Sequence, residues 1–453
     1  MIKARNIRKM IDFKFYKVIL LIAIPVMTQN FITSLAQVVD NLMVSALGEQ
    51  AITAVGAANS IFFVVMFLMF GISESIGIYI AQFMGAKEYE KQKHAFILGL
   101  IATFIVIFIA FIVIAVFKDT IIGFYIKDPA VAALCSEYLS VASLSYIFMG
   151  INVLIGASFR SIGKPKYAMY CGIVAILLNT LLNYMFLNGV WFFPELGLTG
   201  LGIATVIARI VELILLLIIM FNIHVPFMPK IADFFRIKKT LVKSIFKKGL
   251  PLTINEFLWG LGTSTLMALY GINSTQDLVA VNVAYTVGNL FMVIMGGFAV
   301  AISVIVGQRL GAKKLYGAKY IVTKIYILAF FVGIFITVVF WLIAPFFAAI
   351  YNISPETEYL TILVMRIMAL AFPIYIITAS FFFTLRSGGD TLSVLILDMG
   401  AMYLLTIPLA YYLTTFTDLP VVYRFAIIQC ADIVKFSVGI YLISKGHWIR
   451  KLT

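Results

Sequence analysis

Charged residues are scarce in this chain. Asp, Glu, Lys and Arg make up 12% of its 453 residues, against 63% hydrophobic ones. Soluble globular chains carry about 25% and 45–50% respectively, so an ordinary water-soluble domain is excluded. Cysteine is sparse too, and Cys135, Cys171 and Cys430 form no motif with ligand or redox spacing. The three histidines, His94, His224 and His447, fall in loops or at the ends of apolar runs. They give neither a histidine metal site nor a Ser-His-Asp centre, and no enzyme activity or cofactor is expected. No cleavable signal peptide is expected, because the first apolar run is too long and lacks a small-residue cleavage site.

What the sequence has is apolar length. A helix crossing a bilayer needs about 20 apolar residues, and about twelve such runs occur: 16–38, 52–80, 95–117, 132–157, 168–188, 196–222, 245–270, 278–306, 320–348, 359–384, 392–415 and 421–444. They must be helices, because backbone groups in lipid have to be satisfied internally and barrel strands would be half as long. The formal charge of +14 is not a nucleic-acid signal. Its Lys and Arg cluster in alternate loops: Lys3 to Lys17, Lys87 to Lys93, Arg160 to Lys166, Lys230 to Lys248, Arg309 to Lys319, Arg386, and Lys445 to Lys451. This positive-inside pattern predicts a multi-pass protein of the cytoplasmic membrane with both termini in the cytoplasm.

The chain also repeats itself at an offset of about 226 residues. Pro25 falls on Pro251, Phe31 on Phe257, Gln50 on Gln276 and Gly71 on Gly297. More persuasive are the loop matches, Gln82 with Gly85-Ala86-Lys87 on Gln308 with Gly311-Ala312-Lys313, and Arg160-Ser161-x-Gly163 on Arg386-Ser387-x-Gly389. Six spans per half is an even number, so the halves insert in the same orientation as parallel repeats. The expected organisation is a six-helix lobe over 1–222, a cytoplasmic linker with the start of the seventh helix over 223–248, and a second six-helix lobe over 249–453. Two bundles rocking about a cleft describes a transporter.

An ionisable group deep in the bilayer costs at least about 2.5–3.5 kcal/mol on insertion scales, so each needs a reason. Arg209 and Lys435, at equivalent points of the halves, have Glu212 and Asp432 nearby and are as readily structural bridges as functional groups. Glu74 fits a hydrogen bond within its own bundle, and Glu137 and Asp398 fit helix ends. Asp40 and Glu256 are harder to dismiss. Both lie in equivalent helices, the first and the seventh, yet they do not align: Asn30 matches Glu256 and Leu266 matches Asp40. A buried isolated carboxylate favours its neutral form, so such a group can carry a proton, or hold Na⁺ where neighbouring oxygens complete a shell. Partners for Asp40 are Asn179 and Asn183, one helical turn apart, and the hydroxyl of Thr205. The bland alternative is that these amides only link helices, for about 1 kcal/mol each. Near Glu256 come Trp259, Tyr285 and Tyr375, with Phe291, Met292 and Met295. An acid with aromatics favours a lipophilic cation, although some forty phenylalanines would place rings there by chance.

Together these motifs resemble the multidrug and toxic compound extrusion (MATE) transporters over essentially the whole chain. The resembling stretches are Ala23-Ile-Pro25, Asp40-Asn41, Gln82-Phe-Met-Gly-Ala-Lys87, Phe159-Arg-Ser-Ile-Gly-Lys-Pro165, Asn179-Thr-Leu-Leu-Asn183 and Gly197 to Thr205. The resemblance implies an all-α membrane fold, twelve transmembrane helices in two homologous six-helix bundles around a V-shaped cleft. It implies export of organic cations and drugs in exchange for H⁺ or Na⁺. Asp40, Asn179 and Thr205 match the family's ion site in the first half, while Asn183 stands where DinF-like members carry an aspartate. Glu256 falls where NorM-like members carry an acid, but their further acid in the tenth span has no counterpart between Glu358 and Asp390.

The expectation is thus an antiporter working by alternating access, a monomer in lipid with small amphipathic, mostly cationic substrates. Asp40, Asn179, Asn183 and Thr205 form the coupling site, with Na⁺ as the one metal that Asp40 would take. Glu256, Trp259, Tyr285 and Tyr375 form a second acidic or substrate site. The rival is a flippase for lipid-linked oligosaccharide or peptidoglycan precursors, which would line its cleft with several Arg and Lys.

Overall fold

The computed structural model describes residues 13–191, 193–351 and 353–449; the basic residues before Phe13 and after Ile449 that entered the orientation argument lie outside them. Among the described residues the chain is helical, with no strand. The first half comprises α1 (Phe13–Ser45), α2 (Glu49–Ala86), α3 (Tyr89–Tyr125), α4 (Pro129–Ala142 and Ser145–Ser161, bent by 50°), α5 (Pro165–Asn188) and α6 (Gly197–Asn222). After a 3-10 turn at Ile231–Phe235 the second half follows: α7 (Lys239–Tyr270), α8 (Thr275–Gly311), α9 (Leu315–Ile350), α10 (Pro355–Ser387), α11 (Thr391–Phe416) and α12 (Val421–Lys445).

Ten of these helices are long and apolar enough to cross a bilayer, and the bent α4 makes eleven. The twelfth is α7. Its 32 residues suffice in length, but Asn255, Glu256, Thr263, Ser264 and Thr265 interrupt its apolar stretch. The outer faces carry exposed Val116, Leu342, Phe346 and Leu404, which is sensible only where the solvent is lipid tails. This is a multi-pass membrane protein.

The repeat is written in the backbone as well as the sequence. Pro25 and Pro251 both lie inside their helices, α1 and α7. Lys87 and Lys313 both adopt left-handed φ, 60° and 59°, and Gly163 and Gly389 do so at 79° and 72°. These are equivalent positions at the end of equivalent helices, so the same turn is made twice.

Two compact units can be delimited. One joins Ala81–Lys87 and the described part of 1–27 to that of 254–453; the other joins 28–80 to 88–253. The core of the second packs Ala58, Val65, Met69, Ile107, Leu139 and Tyr146. The core of the first packs Val281, Phe340, Met365, Phe372 and Phe425. Within the first unit the end of α2 crosses α8 at the repeated Gln-x-x-Gly-Ala-Lys motif. A Cβ on Gly85 would lie 1.8 Å from the Gln308 carbonyl oxygen, and one on Gly311 would lie 1.8 Å from that of Gln82. Only glycine permits so close an approach.

Candidate functional site

The charges in the apolar helices sort by whether they have a partner. On α4, Arg160 meets Glu74 of α2 at 3.1 Å. At the equivalent place on α10, Arg386 meets Glu256 of α7 at 3.0 Å, with the arginine 2% exposed. Arg209 pairs with Glu212 one turn along α6 at 2.6 Å, and the Asn152 amide donates to the same carboxylate oxygen at 3.1 Å. Arg424 pairs with Asp277. Lys435 pairs not with Asp432 but with Asp398 of α11, at 3.3 Å, and Asn255 donates to the other Asp398 oxygen at 3.3 Å. Glu137 accepts from the Thr199 hydroxyl. Such pairing is how intramembrane charge is usually met. Neither Asp40 nor Asp432 takes an ion pair among the described residues, and unlike Glu137, Asp432 takes no hydrogen bond either.

Asp40 lies on α1 within the second unit, half-buried. The Asn183 amide on α5 donates to its Oδ1 at 3.0 Å. One turn earlier on α5, Asn179 donates to Thr205 of α6 at 3.4 Å, and that hydroxyl donates in turn to the Leu201 carbonyl at 2.9 Å. The four residues named from the sequence thus form two pairs, Asp40 with Asn183 and Asn179 with Thr205. Asn183 is 3% exposed, and its Oδ1 is buried with no hydrogen-bond partner. Arg209 and Tyr138 lie close enough to act on Asp40 electrostatically. A carboxylate beside an unused amide oxygen can exchange a proton or hold a hard cation.

Asp432 faces a cavity in the second half. About 730 Å³ lies between α7, α8, α10, α11 and α12, within the about 300–1,000 Å³ usual for small-molecule sites. Trp259, Tyr285, Phe372 and Tyr375 supply aromatic wall, and Met267, Met292, Met295, Met368 and Met402 supply flexible thioethers. Polar groups enter from Asn282, Asn289 and Gln429, and charge from Asp432 and Lys435. Three residues grouped from the sequence, Trp259, Tyr285 and Tyr375, do line one space. Glu256 is not in that wall; it is held by Arg386. Phe291 stacks on Phe340 at 4.7 Å and belongs to the core.

From the sequence Asp432 is as readily a bridge to Lys435 as a functional group, and the pairing of Lys435 with Asp398 leaves it available. A signal for this was present. Asp398 and Asp432 compete for one cation, so one of the two acids had to be left over. The eleventh helix adds a further sign, because it is wound as π-helix over Ile396–Gly400 and Met402–Thr406. Such winding is frequent at functional sites, and Met402 and Thr406 both reach the cavity.

Comparison with known proteins gives a family match and a fold match. The family model described as MatE matches twice, over residues 25–185 and 251–412, beginning at the same offset as the internal repeat. A relative in Bacillus subtilis, named "Probable multidrug resistance protein YoeA", is 23% identical over 411 residues, 88% of this chain and 87% of the relative. Another in Thermotoga maritima, named "Probable multidrug resistance protein NorM", is 22% identical over 446 residues, 96% of this chain and 93% of the relative. Among solved structures, "Crystal structure of MATE in complex with MaL6" superposes with a TM-score of 0.87 at 19% identity, covering 95% of this chain and 96% of that one. "Outward-facing conformation of a multidrug resistance MATE family transporter of the MOP superfamily" gives 0.84 at 21% identity, with the same shares covered.

Proposed function

Since this chain belongs to the MatE family of transporters, we propose that it is a secondary antiporter exporting amphipathic, mostly cationic compounds in exchange for H⁺ or Na⁺. The names of its relatives, which are those of multidrug resistance proteins, support export of varied small molecules. The observation that carries the substrate class is Asp432, a carboxylate without an ion pair in the wall of an aromatic and methionine-rich cavity. An organic cation there gains charge attraction and cation–π contact. The thioethers adapt to different shapes, as they do at other promiscuous surfaces.

Coupling is assigned to Asp40. Each positive charge entering down the membrane potential supplies about 2.3 kcal/mol per 100 mV, and a carboxylate that binds it from one side and releases it on the other converts this into work. Asn183 positions the Asp40 carboxylate through its amide, and its spare oxygen, with Thr205 and Asn179 nearby, fits a cation shell as well as a proton. Glu256, expected from the sequence to draw in substrate, is assigned instead to balancing Arg386, while Trp259, Tyr285 and Tyr375 keep the substrate role. The basic loops are placed on the cytoplasmic face, which puts both termini inside the cell.

A flippase for pyrophosphate-linked lipids would need a strongly basic chamber. The wall of this cavity holds Lys435 as its cation, and that lysine already has Asp398. The test is uptake of a fluorescent organic cation into proteoliposomes under a pH gradient and a Na⁺ gradient imposed separately. At least one gradient is expected to drive it. If neither does while ATP or a lipid-linked sugar supports transport, the antiporter assignment is wrong.

A further inference from the structure

Asp432 and Lys435 stand three residues apart on α12, so their side chains occupy one face on neighbouring turns, about 5–6 Å apart at Cβ. Both line the cavity. Gln429, a further three residues back, lines it as well. One face of one helix therefore presents an amide, an acid and a base in sequence.

The two charges form no ion pair with each other among the described residues, although Lys435 acts on Asp432 electrostatically. Lys435 reaches Asp398, and the 3.3 Å separation is long for a charge-assisted hydrogen bond, which is usually about 2.7–2.9 Å. An ammonium has three N–H donors, and one is directed at Asp398. Asp398 itself is held from behind by Asn255 at 3.3 Å and does not line the cavity. Asp432 accepts no hydrogen bond among the described residues. A simple organic cation would satisfy Asp432 and leave the remaining Lys435 donors facing its apolar body, where an unmet charge is costly.

We infer that this cavity is fitted to a compact zwitterion: an amphipathic compound with an α-amino-acid head, whose ammonium meets the Asp432 carboxylate and whose carboxylate meets the Lys435 ammonium. The inference rests on the reading of the cavity as the substrate site. Its geometric content is the spacing of the two charges. Groups one helical turn apart are bridged by an ammonium and a carboxylate on the same carbon. A molecule whose charges lie at opposite ends of its body engages one of them only. Trp259, Tyr285, Phe372 and Tyr375 then receive the body, so an aromatic side chain on the amino acid is the expected form.

The experiment compares three probes with one body on the full chain in nanodiscs: L-2-naphthylalanine as the zwitterion, its methyl ester as the cation, and its N-acetyl derivative as the anion. The zwitterion is expected to bind about tenfold or more tightly than either other form, the worth of one charge-assisted hydrogen bond. Lys435→Gln should collapse the ratio of zwitterion to ester to near unity, and Lys435→Arg should retain it, which separates loss of the cation from loss of the fold. Asp432→Asn should weaken both the zwitterion and the ester. If the ester binds as tightly as the zwitterion to the unaltered protein, or if Lys435→Gln leaves the ratio unchanged, the zwitterion inference is overturned while a cation site at Asp432 stands. If no probe binds and Asp432→Asn leaves uptake of a fluorescent organic cation untouched, the cavity is not the substrate site and both readings fall.

Discussion

Arg160 and Arg386 occupy equivalent places in the two halves, but their counter-charges arrive from helices that are not equivalent. Glu74 comes from α2, and Glu256 comes from α7, the counterpart of α1. The second such position repeats the lesson. Arg209 takes its acid from its own helix, Glu212, whereas Lys435 reaches across to Asp398 on α11. The halves thus share their cations and their scaffold, and each has balanced those cations with its own acids. The acids that take no ion pair differ as well: Asp40 beside Asn183 in one half, Asp432 in an aromatic cavity in the other. Equal bundles have been given unequal chemistry by the placement of a few carboxylates.

That comparison can be broken most directly at Asp40. Asp40→Asn removes an acid that takes no ion pair and is expected to reduce gradient-driven uptake to the background left by an ionophore, with substrate still bound by the protein. Retention of gradient-driven uptake would leave the first half without a coupling role. The next largest effect should fall on stability. Glu256→Gln removes the carboxylate paired with Arg386, 2% exposed, and is expected to cost about 3–5 kcal/mol in thermal or denaturant unfolding. Glu74→Gln strands the more accessible Arg160, 17% exposed, and should cost about 1–3 kcal/mol. Equal losses would mean that the two pairs are energetically alike despite their different partners. Replacing both members together, Glu256→Gln with Arg386→Met, should recover most of the loss.

Smaller, and specific to the second half, is the effect of Asp432→Asn on binding of a fluorescent organic cation. An affinity loss of about tenfold is expected, whereas Glu256→Gln in correctly folded protein should change affinity little. The reverse order would return the substrate role to Glu256. The smallest effect concerns the linker between the halves. The Lys230 backbone N–H donates to Asp233 at 2.8 Å and holds its carboxyl below the ordinary value, with Lys93, His94 and Arg236 adding to this. A depressed carboxylate stabilises fully above its unfolded value, near about 4, and loses that contribution only as pH falls through the lowered folded value. Protease cleavage of the Ile231–Phe235 turn should therefore be the same at pH 7 and pH 5, and Asp233→Asn should raise it at both.

The scaffold was legible because it depends on composition and local pattern. Apolar length marks the spans, and the loops at Gln82 and Gln308 mark the repeat, since a turn is specified by residues adjacent in sequence. Even α7, the least apolar span, is marked by its own apolar run at 245–270. Ion pairs were legible only where the partners lie on one helix, as with Arg209 and Glu212. The pairs Glu74 with Arg160 and Glu256 with Arg386 join residues 86 and 130 positions apart, and nothing local specifies which acid meets which base. The same reasoning placed Asn179 and Asn183 on one face from their one-turn spacing, but which amide met Asp40 and which met Thr205 depended on how α1 and α6 pack against α5.

The crossing of Gly85 and Gly311 bears on motion. Contacts between side chains resist rotation, because knobs must leave their holes and find new ones. Here backbone lies on backbone, each glycine against the other's glutamine carbonyl, and there are no rotamers to exchange. Such a contact fixes a separation while leaving the crossing angle soft, as a bearing does. Alanine at either position would force the two helix ends apart by more than an ångström. Because α8 runs 37 residues from that point, about 55 Å of helix, a few degrees of swivel at the glycines would become several ångströms at its far end.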